Sequence, residues 1–506
     1  MSLFGSAGRG MMRGGLSAGH ALNLGASNAI DSFNVRRAQK ALYSDKKAMA
    51  SGYLFPGDQA GVDSGGLMDY RGIYLPENIA PALTGDVVSL GMIKNPRTGF
   101  CHKAGLPWEI LNTHVAIIAP PGSGKTYGVI VPWILDFINA GGRVIANDVK
   151  GDLLNDILSA KKRMVVPPFE VKRWDPMDRK SSKCWNPLSA VSDDMTRTQL
   201  VEALLGSVDD YKGNDPYFLE RDHKWLRGLI KMALAIDPNA NFYDIYLLLS
   251  NQDDLIDVAN ANPGLYDGFV ELLGYDPGDY HTAVSSLLNK LEWLTFDNAR
   301  FVTKKSDFDL ETITETPGLL LIGSKLSDGD PAKAAASMMF AMLKSTYSKR
   351  VGKEHLENAW IIDEAAVVAK RISLDMTLSQ VRSYNVGITL ALQDVTQLGD
   401  KDAQSRYLSN CKTFITLRDV SDATAEYFSK RLGTHSIQKV SASLDARGRH
   451  LPQTTVEQVP ILGHSEIMHP PADFGTYCGI VHTPTLGSFC QPPGVTNNPY
   501  IVDFTR

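Results

Sequence analysis

The sequence lacks the apolar run of roughly 18 to 20 residues that a membrane-spanning helix needs. Its first residues also lack the apolar stretch of a signal peptide. We therefore expect any membrane location to come through a partner protein. Cysteine is scarce: the 506-residue chain has five, widely scattered and without C-x-x-C or His/Cys spacing. Because zinc sites need such spacing, the sequence does not predict one. Scattered cysteines of odd number favour a reduced, cytosolic compartment.

An excess of positive charge is also missing, since the formal net charge is -5. If nucleic acid is a ligand, a local patch or a pore must bind it, because the surface as a whole will not attract it. The apolar fraction of 43% and the charged fraction of 21% are those of an ordinary soluble globular protein. The length allows two or more domains.

Four segments of different composition predict the domain organisation. Residues 1–65 are rich in Gly, Ser and Ala with mostly basic charges, which predicts an N-terminal arm. Within this arm, residues 35–50 form either a short basic helix or solvated chain. Residues 66–186 alternate strands with helices, as in a parallel α/β sheet. Residues 187–300 have helical spacing throughout, and strands return in residues 301–506. We predict one α/β domain interrupted by an all-α domain.

The stretch APPGSGKT, from Ala119 to Thr126, follows an apolar strand and precedes an apolar helix. Glycines there let backbone N–H groups approach phosphates, while the helix directs its positive end at them. Lys125 can reach the β and γ phosphates, and the Thr126 hydroxyl can bind Mg²⁺. A small Ala119 in place of the usual first glycine should change little. The predicted nucleotide-binding residues are Pro121, Gly122, Ser123, Gly124, Lys125 and Thr126.

A P-loop hydrolase also needs acidic residues at the end of another buried strand, and ENAWIIDEAA supplies them. We predict that Asp363 binds Mg²⁺ and that Glu364 is the general base, although such a pair alone also fits a helix N-cap. Gln393, at the end of the next strand, is either a γ-phosphate sensor or a polar residue that starts a loop. Arg382, before that strand, is either an arginine finger for a neighbouring subunit or a surface arginine.

Several further blocks resemble the TraG/TraD family of coupling proteins, the P-loop ATPases that deliver substrates to type IV secretion and conjugation systems. The P-loop alone is common to many ATPases. The resemblance is narrowed by VIANDVKGDL, RWDPMDRKSSKCWNPL, FVTKKSDFDLETI and YLSNCKTFITLRDVSDATAEYFSKRLG. It implies a RecA-like P-loop domain that carries an all-α substrate-recognition domain, assembled as a homo-hexameric ring with ATP and Mg²⁺ at the subunit interfaces. It also implies the roles given above to Lys125, Thr126, Asp363, Glu364 and Gln393, with Arg382 as a finger in trans.

Members of this family usually begin with a membrane anchor, whereas this sequence begins with the Gly-rich basic arm. We therefore expect a separate membrane anchor protein as a partner, reached through residues 1–60, and a cytoplasmic, peripheral location at the inner membrane. The other partners implied are the channel components of the secretion system and a relaxase–DNA complex or protein effectors.

Two other functions fit the same residues. A nucleotide-gated docking platform would bind ATP and effectors without translocating anything. A DNA translocase for chromosome segregation or packaging would share the P-loop core, although the helical insertion and the family blocks argue against it. The eleven histidines show no ligand-like pairing. No helix of the insertion has a strong basic face interleaved with aromatics, so the sequence does not choose between DNA and protein as cargo.

Overall fold

The computed structural model describes residues 87–94, 101–162, 168–206, 215–350, 355–444, 450–460, 462–469, 478–483 and 499–503. The N-terminal arm predicted over residues 1–65 lies outside the described residues. The strands are β1 (Val88–Lys94), β2 (Cys101–Leu106), β3 (Val115–Ile118), β4 (Arg143–Asp148), β5 (Val171–Trp174), β6 (Gly318–Gly323), β7 (Asn358–Ile362), β8 (Val386–Leu392), β9 (Thr413–Leu417), β10 (Thr434–Leu444), β11 (His450–Pro460), β12 (Cys478–His482) and β13 (Pro499–Asp503).

One large sheet organises the described chain, in the strand order β2-β1-β13-β12-β9-β3-β8-β7-β4-β6-β5. The strands from β9 to β5 are parallel to one another, and β12, β13, β1 and β2 extend the sheet antiparallel. Among the described strands, β10 and β11 pair only with each other. The fold class predicted from the sequence, α/β with an inserted helical segment, is confirmed.

Parallel strands such as β3 and β6 are apolar on both faces because each face packs into a hydrophobic core. In β3, Ala116 and Ile118 belong to one hydrophobic core, and Val115 and Ile117 belong to the core on the other face. This alternation follows from the two-residue period of a strand. The strand at which the P-loop begins is therefore fixed by packing on both sides.

Helices supply the rest of the described regular structure. They are α1 (Trp108–Leu111), α2 (Val131–Asn139), α3 (Leu153–Lys161), α4 (Asp194–Leu205), α5 (Asp215–Ile236), α6 (Phe242–Ser250), α7 (Gln252–Ala261), α8 (Val270–Leu273), α9 (Pro277–Leu291), α10 (Asp297–Thr303), α11 (Leu310–Glu315), α12 (Gly329–Ser348), α13 (Leu374–Val381), α14 (Lys401–Leu408), α15 (Asp422–Leu432) and α16 (His464–Met468). None of these helices has both the length and the apolar character needed to cross a bilayer.

Helices α4 to α11 lie in the chain between β5 and β6. Local signals begin several of them: the Asp193 and Asn241 side chains cap α4 and α6. The helical segment shares a core with one face of the sheet, where Trp174 of β5 contacts Trp185 edge-to-face with ring centroids 5.1 Å apart. The domain limits given in the sequence analysis stay predictions.

The carboxyl ends of the parallel strands meet at one edge of the sheet. There β8 lies beside β3, β7 beside β8, and β4 beside β7. The segments that follow β3, β7 and β8 contain Lys125, Asp363 and Gln393 respectively. Residues far apart in the sequence are therefore neighbours at this edge, as in other open α/β sheets that bind ligands there.

Candidate nucleotide-binding site

The loop after β3 has the backbone that a phosphate-binding turn requires. Gly122 and Gly124 have φ angles of 80° and 89°, a region that side-chain-bearing residues seldom adopt. The Ser123 hydroxyl donates a hydrogen bond of 2.7 Å to the Pro120 carbonyl oxygen. A π-helical turn, Lys125–Ile130, then begins and runs into α2. The loop thus ends at a helix N-terminus, which favours anions.

Ala119 occupies the position of the usual first glycine. It is fully buried, and its N–H donates to the Leu392 carbonyl oxygen at 2.9 Å, which extends the pairing of β3 with β8. Along the rest of the loop, Pro121 and Gly122 are exposed and Thr126 is half-buried at the start of the π-helical turn. The small residue at the strand exit is compatible with a regular strand end.

The Lys125 ammonium lies between the two acidic residues that follow β7. Its Nζ is 3.0 Å from Asp363 Oδ1 and 3.4 Å from Glu364 Oε1. All three side chains are more than nine-tenths buried. Buried charges of this kind must be paired, and here two carboxylates share one ammonium. The cluster therefore offers more carboxylate oxygens than the single ammonium contacts, and a cation can bind to them.

Gln393 completes this group from the end of β8. Its Nε2 donates a 2.8 Å hydrogen bond to Glu364 Oε1, the oxygen that also contacts Lys125. Its own backbone N–H donates to Gln397 Oε1 at 2.8 Å. The structure thus brings together Lys125, Asp363, Glu364 and Gln393, all of which the sequence analysis selected.

Arg382 does not join them. It begins a 3-10 turn, Arg382–Tyr384, that immediately precedes β8, and its side chain is exposed. Gln393 immediately follows β8, so the whole strand separates the two residues. A strand of this length spans about 20 Å. Arg382 therefore lies at the opposite edge of the sheet from Lys125 of the same chain.

Two residues near the site were missed by the sequence reasoning. The Asn147 side chain binds the backbone of Asp363. Asp148 Oδ1 accepts the N–H of Gly151 at 2.6 Å and organises the turn before α3. Burial raises the pKa of Asp148. The available signal was two polar residues at the end of a strand whose preceding three residues, 144–146, are apolar.

Magnesium fits the chemistry of these side chains. Among the described residues no group of three or more His, Cys, Asp or Glu side chains could hold a metal ion alone. Mg²⁺ at nucleotide sites is usually held by one or two carboxylates together with substrate phosphates. Asp363 and the Thr126 hydroxyl offer oxygen ligands of this type, beside the loop where phosphates would lie.

The family described as the type IV secretion-system coupling protein DNA-binding domain matches residues 101–469. Protein VirD4 of Rhizobium rhizogenes is 22% identical over 346 residues, which cover 65% of this chain and 50% of that protein. Conjugal transfer protein TraG of Escherichia coli is 24% identical over 371 residues, covering 66% of this chain and 57% of that protein. The chain thus spans about half the length of these relatives.

Solved structures of the conjugative coupling protein TrwB have the same fold. The unbound TrwBdeltaN70 structure has a TM-score of 0.59 at 16% identity and covers 79% of this chain and 87% of that chain. TrwB in complex with ADP and Mg²⁺ has a TM-score of 0.57 at 14% identity, covering 80% and 88%. These likenesses establish a RecA-like P-loop domain with a helical segment inserted in it.

Proposed function

The chain belongs to the family of type IV secretion-system coupling proteins, and from this premise we propose that it hydrolyses ATP to deliver DNA–protein or protein substrates to a secretion or conjugation channel. One observation carries the proposal: Lys125, Asp363, Glu364 and Gln393 converge within hydrogen-bond or ion-pair distance beside a glycine-rich, phosphate-type loop. A loop that only bound nucleotide would not require the second carboxylate and the amide.

ATP binding begins with an exchange of partners at Lys125. Its ammonium contacts two carboxylates before nucleotide arrives. The β and γ phosphates compete for the same ammonium, while the N–H groups of residues 122–126 bind them from the loop side. This exchange frees the Asp363 and Glu364 oxygens for the metal and for water.

Hydrolysis then depends on the residues after β7 and β8. When bound, Mg²⁺ neutralises charge that develops on the phosphates. Asp363 and Thr126 would hold it, and Glu364 accepts the proton of the attacking water. Gln393, already bonded to Glu364, orients that carboxylate and contacts the water or the γ-phosphate.

The arginine that such a site uses comes from a second subunit. Arg382 lies at the far edge of its own sheet, so it serves a neighbour's nucleotide if copies assemble head-to-tail. We therefore propose a closed ring, a homo-hexamer, with ATP and Mg²⁺ between subunits. The ring stands at the cytoplasmic face of the inner membrane through a separate anchor protein and contacts the channel and a relaxase–DNA complex or effectors.

The test is ATP turnover by the full-length chain with Mg²⁺, with and without single-stranded DNA. We expect Glu364→Gln to bind ATP and to hydrolyse it at least about 100-fold more slowly, and Lys125→Ala to lose binding. Absence of turnover under every condition, with the protein assembled as a ring, would exclude the motor.

A second function, a nucleotide-gated docking platform, is favoured by the ion pairs of Lys125. Nucleotide must displace those carboxylates from Lys125. Its binding without hydrolysis can therefore change the conformation of the segment after β7, which contains Asp363 and Glu364. Substrate transfer in cells by the Glu364→Gln variant, which retains ATP, would support the platform. Loss of transfer would support the motor.

A further inference from the structure

Asn147 holds the backbone of Asp363 from the neighbouring strand. It is the second-last residue of β4, and only 1% of its surface is exposed. Its Oδ1 accepts the Asp363 N–H at 2.7 Å, and its Nδ2 donates to the Asp363 carbonyl oxygen at 2.9 Å. One carboxamide thus satisfies both backbone groups of the residue assigned to Mg²⁺.

These bonds replace a β-ladder that has ended. The last backbone pair of β4 and β7 is Ala146 with Ile361. Beyond that pair, the Asn147 side chain makes the two hydrogen bonds to Asp363 that the backbone of a paired strand would make. The same Nδ2 lies 3.3 Å from the Ser324 hydroxyl, just after β6. Asn147 therefore joins the ends of β4, β6 and β7 at the site.

The next residue explains why such a clamp matters. Glu364 has φ and ψ angles of 49° and 50°, a left-handed conformation that a side-chain-bearing residue adopts only when its surroundings enforce it. Its N–H donates to Asp363 Oδ1 at 3.1 Å. If the Asp363 backbone were released, Glu364 could relax to a right-handed conformation. Its carboxylate would then leave Lys125 and Gln393.

We propose that Asn147 is a positioning residue that fixes the Asp363–Glu364 backbone for hydrolysis and contributes little to nucleotide affinity. The proposal rests on the roles proposed above for Asp363 and Glu364. Asparagine suits the position better than side chains of similar size, because an ionised aspartate accepts but does not donate. A leucine of similar size does neither.

The test compares both ends of β7 in the full-length chain. Asn147→Leu removes both bonds, and Asn147→Asp keeps only the bond from the Asp363 N–H. The matched control is Asn358→Leu at the start of the strand. Asn358 is also fully buried, and its Nδ2 donates to the carbonyl oxygens of Thr314 and Leu356 at 2.9 Å. This control loses a comparable clamp away from the site.

For Asn147→Leu we expect kcat to fall about 10- to 100-fold, the usual effect of removing a residue that orients a metal ligand, with an almost unchanged Kd for ATP. The kcat of Asn147→Asp should lie between those of Asn147→Leu and the wild type. In nucleotide-free protein, hydrogen exchange at residues 363–366 should quicken in both Asn147 variants. Asn358→Leu should lower the unfolding midpoint but leave kcat and that exchange unchanged.

Equal kcat losses in the Asn147 and Asn358 variants, or unchanged exchange at residues 363–366, would overturn the proposal. If Asn147→Leu does not fold, Asn147→Asp decides by the same two readouts. The Glu364→Gln variant distinguishes a failure of the positioning role of Asn147 from a failure of the proposed function. If it abolishes turnover while the Asn147 variants keep it, only the positioning role is wrong. If the wild type has no turnover, the proposed function is wrong. The hydrogen-exchange rate at residues 363–366 then decides whether Asn147 fixes that backbone.

Discussion

Gly124 and Ala119 occupy the two ends of the phosphate loop and tolerate change differently. Gly124 has a φ of 89°, at which a Cβ costs roughly 1–2 kcal/mol. We expect Gly124→Ala to weaken ATP binding about 10-fold, as that energy implies. Ala119→Gly should leave affinity close to wild type, because it restores the usual residue at that position. Titration with a fluorescent ATP analogue measures both, and equal affinities in the two variants would contradict the expectation.

Gln393 is the one neutral side chain that contacts the Glu364 carboxylate in the described site. Gln393→Ala should lower kcat about 10- to 100-fold because the base loses its orienting donor. Gln393→Glu should be worse, since it places a like charge beside Glu364. Steady-state turnover at saturating ATP is the measurement. Gln404→Ala, which removes a distant amide bonded to the Gly399 carbonyl oxygen, should keep wild-type turnover.

Single site residues could be predicted from the sequence where they belong to a motif. They could not be predicted where their partners are distant in the chain. Lys125, Asp363 and Gln393 each follow an apolar strand, so their meeting at one edge could be predicted. Asn147 binds a residue 216 positions later in the chain. Nothing local marks that bond, because it depends on which strands become neighbours in the sheet.

Among the strands, the predictability depends on burial. β6, β8 and β9 lie within residues 301–506, where the sequence predicts that strands return, because strands buried on both faces read as continuous apolar runs. The two-stranded β10–β11 ribbon was not predicted. Its sequences, THSIQKVSASL and HLPQTTVEQVP, are largely polar, and they pair with each other outside the main sheet.

The length of β8 yields a prediction about assembly. Since β8 separates Arg382 from Gln393, Arg382→Ala should abolish turnover only by damaging a neighbour's site. Mixing inactive Arg382→Ala protein with inactive Lys125→Ala protein should therefore restore part of the activity. In mixed rings some interfaces combine an intact Lys125 with an intact Arg382 from the next subunit.

The mixing experiment needs ring formation, which sedimentation with a non-hydrolysable ATP analogue records. A double variant carrying both changes is the control, and mixing it with either single variant should restore nothing. Mixed rings that form yet stay inactive would mean that Arg382 acts in its own chain. Arg382→Ala protein that keeps full turnover by itself would mean that Arg382 is a surface residue.

For the molecule as a whole, the sequence predicted the interrupted α/β architecture but not how its parts share a core. Trp225 and Tyr280 of the helical segment belong to the same hydrophobic core as Trp360 of β7. Such sharing depends on which helix faces meet the sheet, and periodicity reveals only that a face is apolar.

Burial of three histidines makes the stability of the whole chain dependent on pH. Burial lowers the pKa of His114, His223 and His482 from 6.5 to about 4. The His114 Nδ1 accepts the Ile388 N–H at 3.0 Å, which only an unprotonated ring nitrogen can do, and Nε2 donates to the Leu378 carbonyl oxygen at 2.6 Å. Unfolded histidine takes up its proton at higher pH than these folded side chains do. The stability that they contribute is therefore complete above pH 6.5 and is lost as pH falls towards 4.

We therefore expect the free energy of unfolding to fall between pH 7 and pH 5 by about 2 kcal/mol for each buried histidine, because the unfolded chain binds those protons. Urea denaturation of the full-length chain at several pH values measures this slope. His114→Gln should make the slope shallower by about one third, as one of three titrating groups is removed, whatever its stability at pH 7. His281→Gln, at an exposed position, should leave the slope unchanged. A slope that is the same in both variants would mean that His114 takes up its proton equally in the folded and unfolded chain, contrary to its buried, neutral hydrogen bonding.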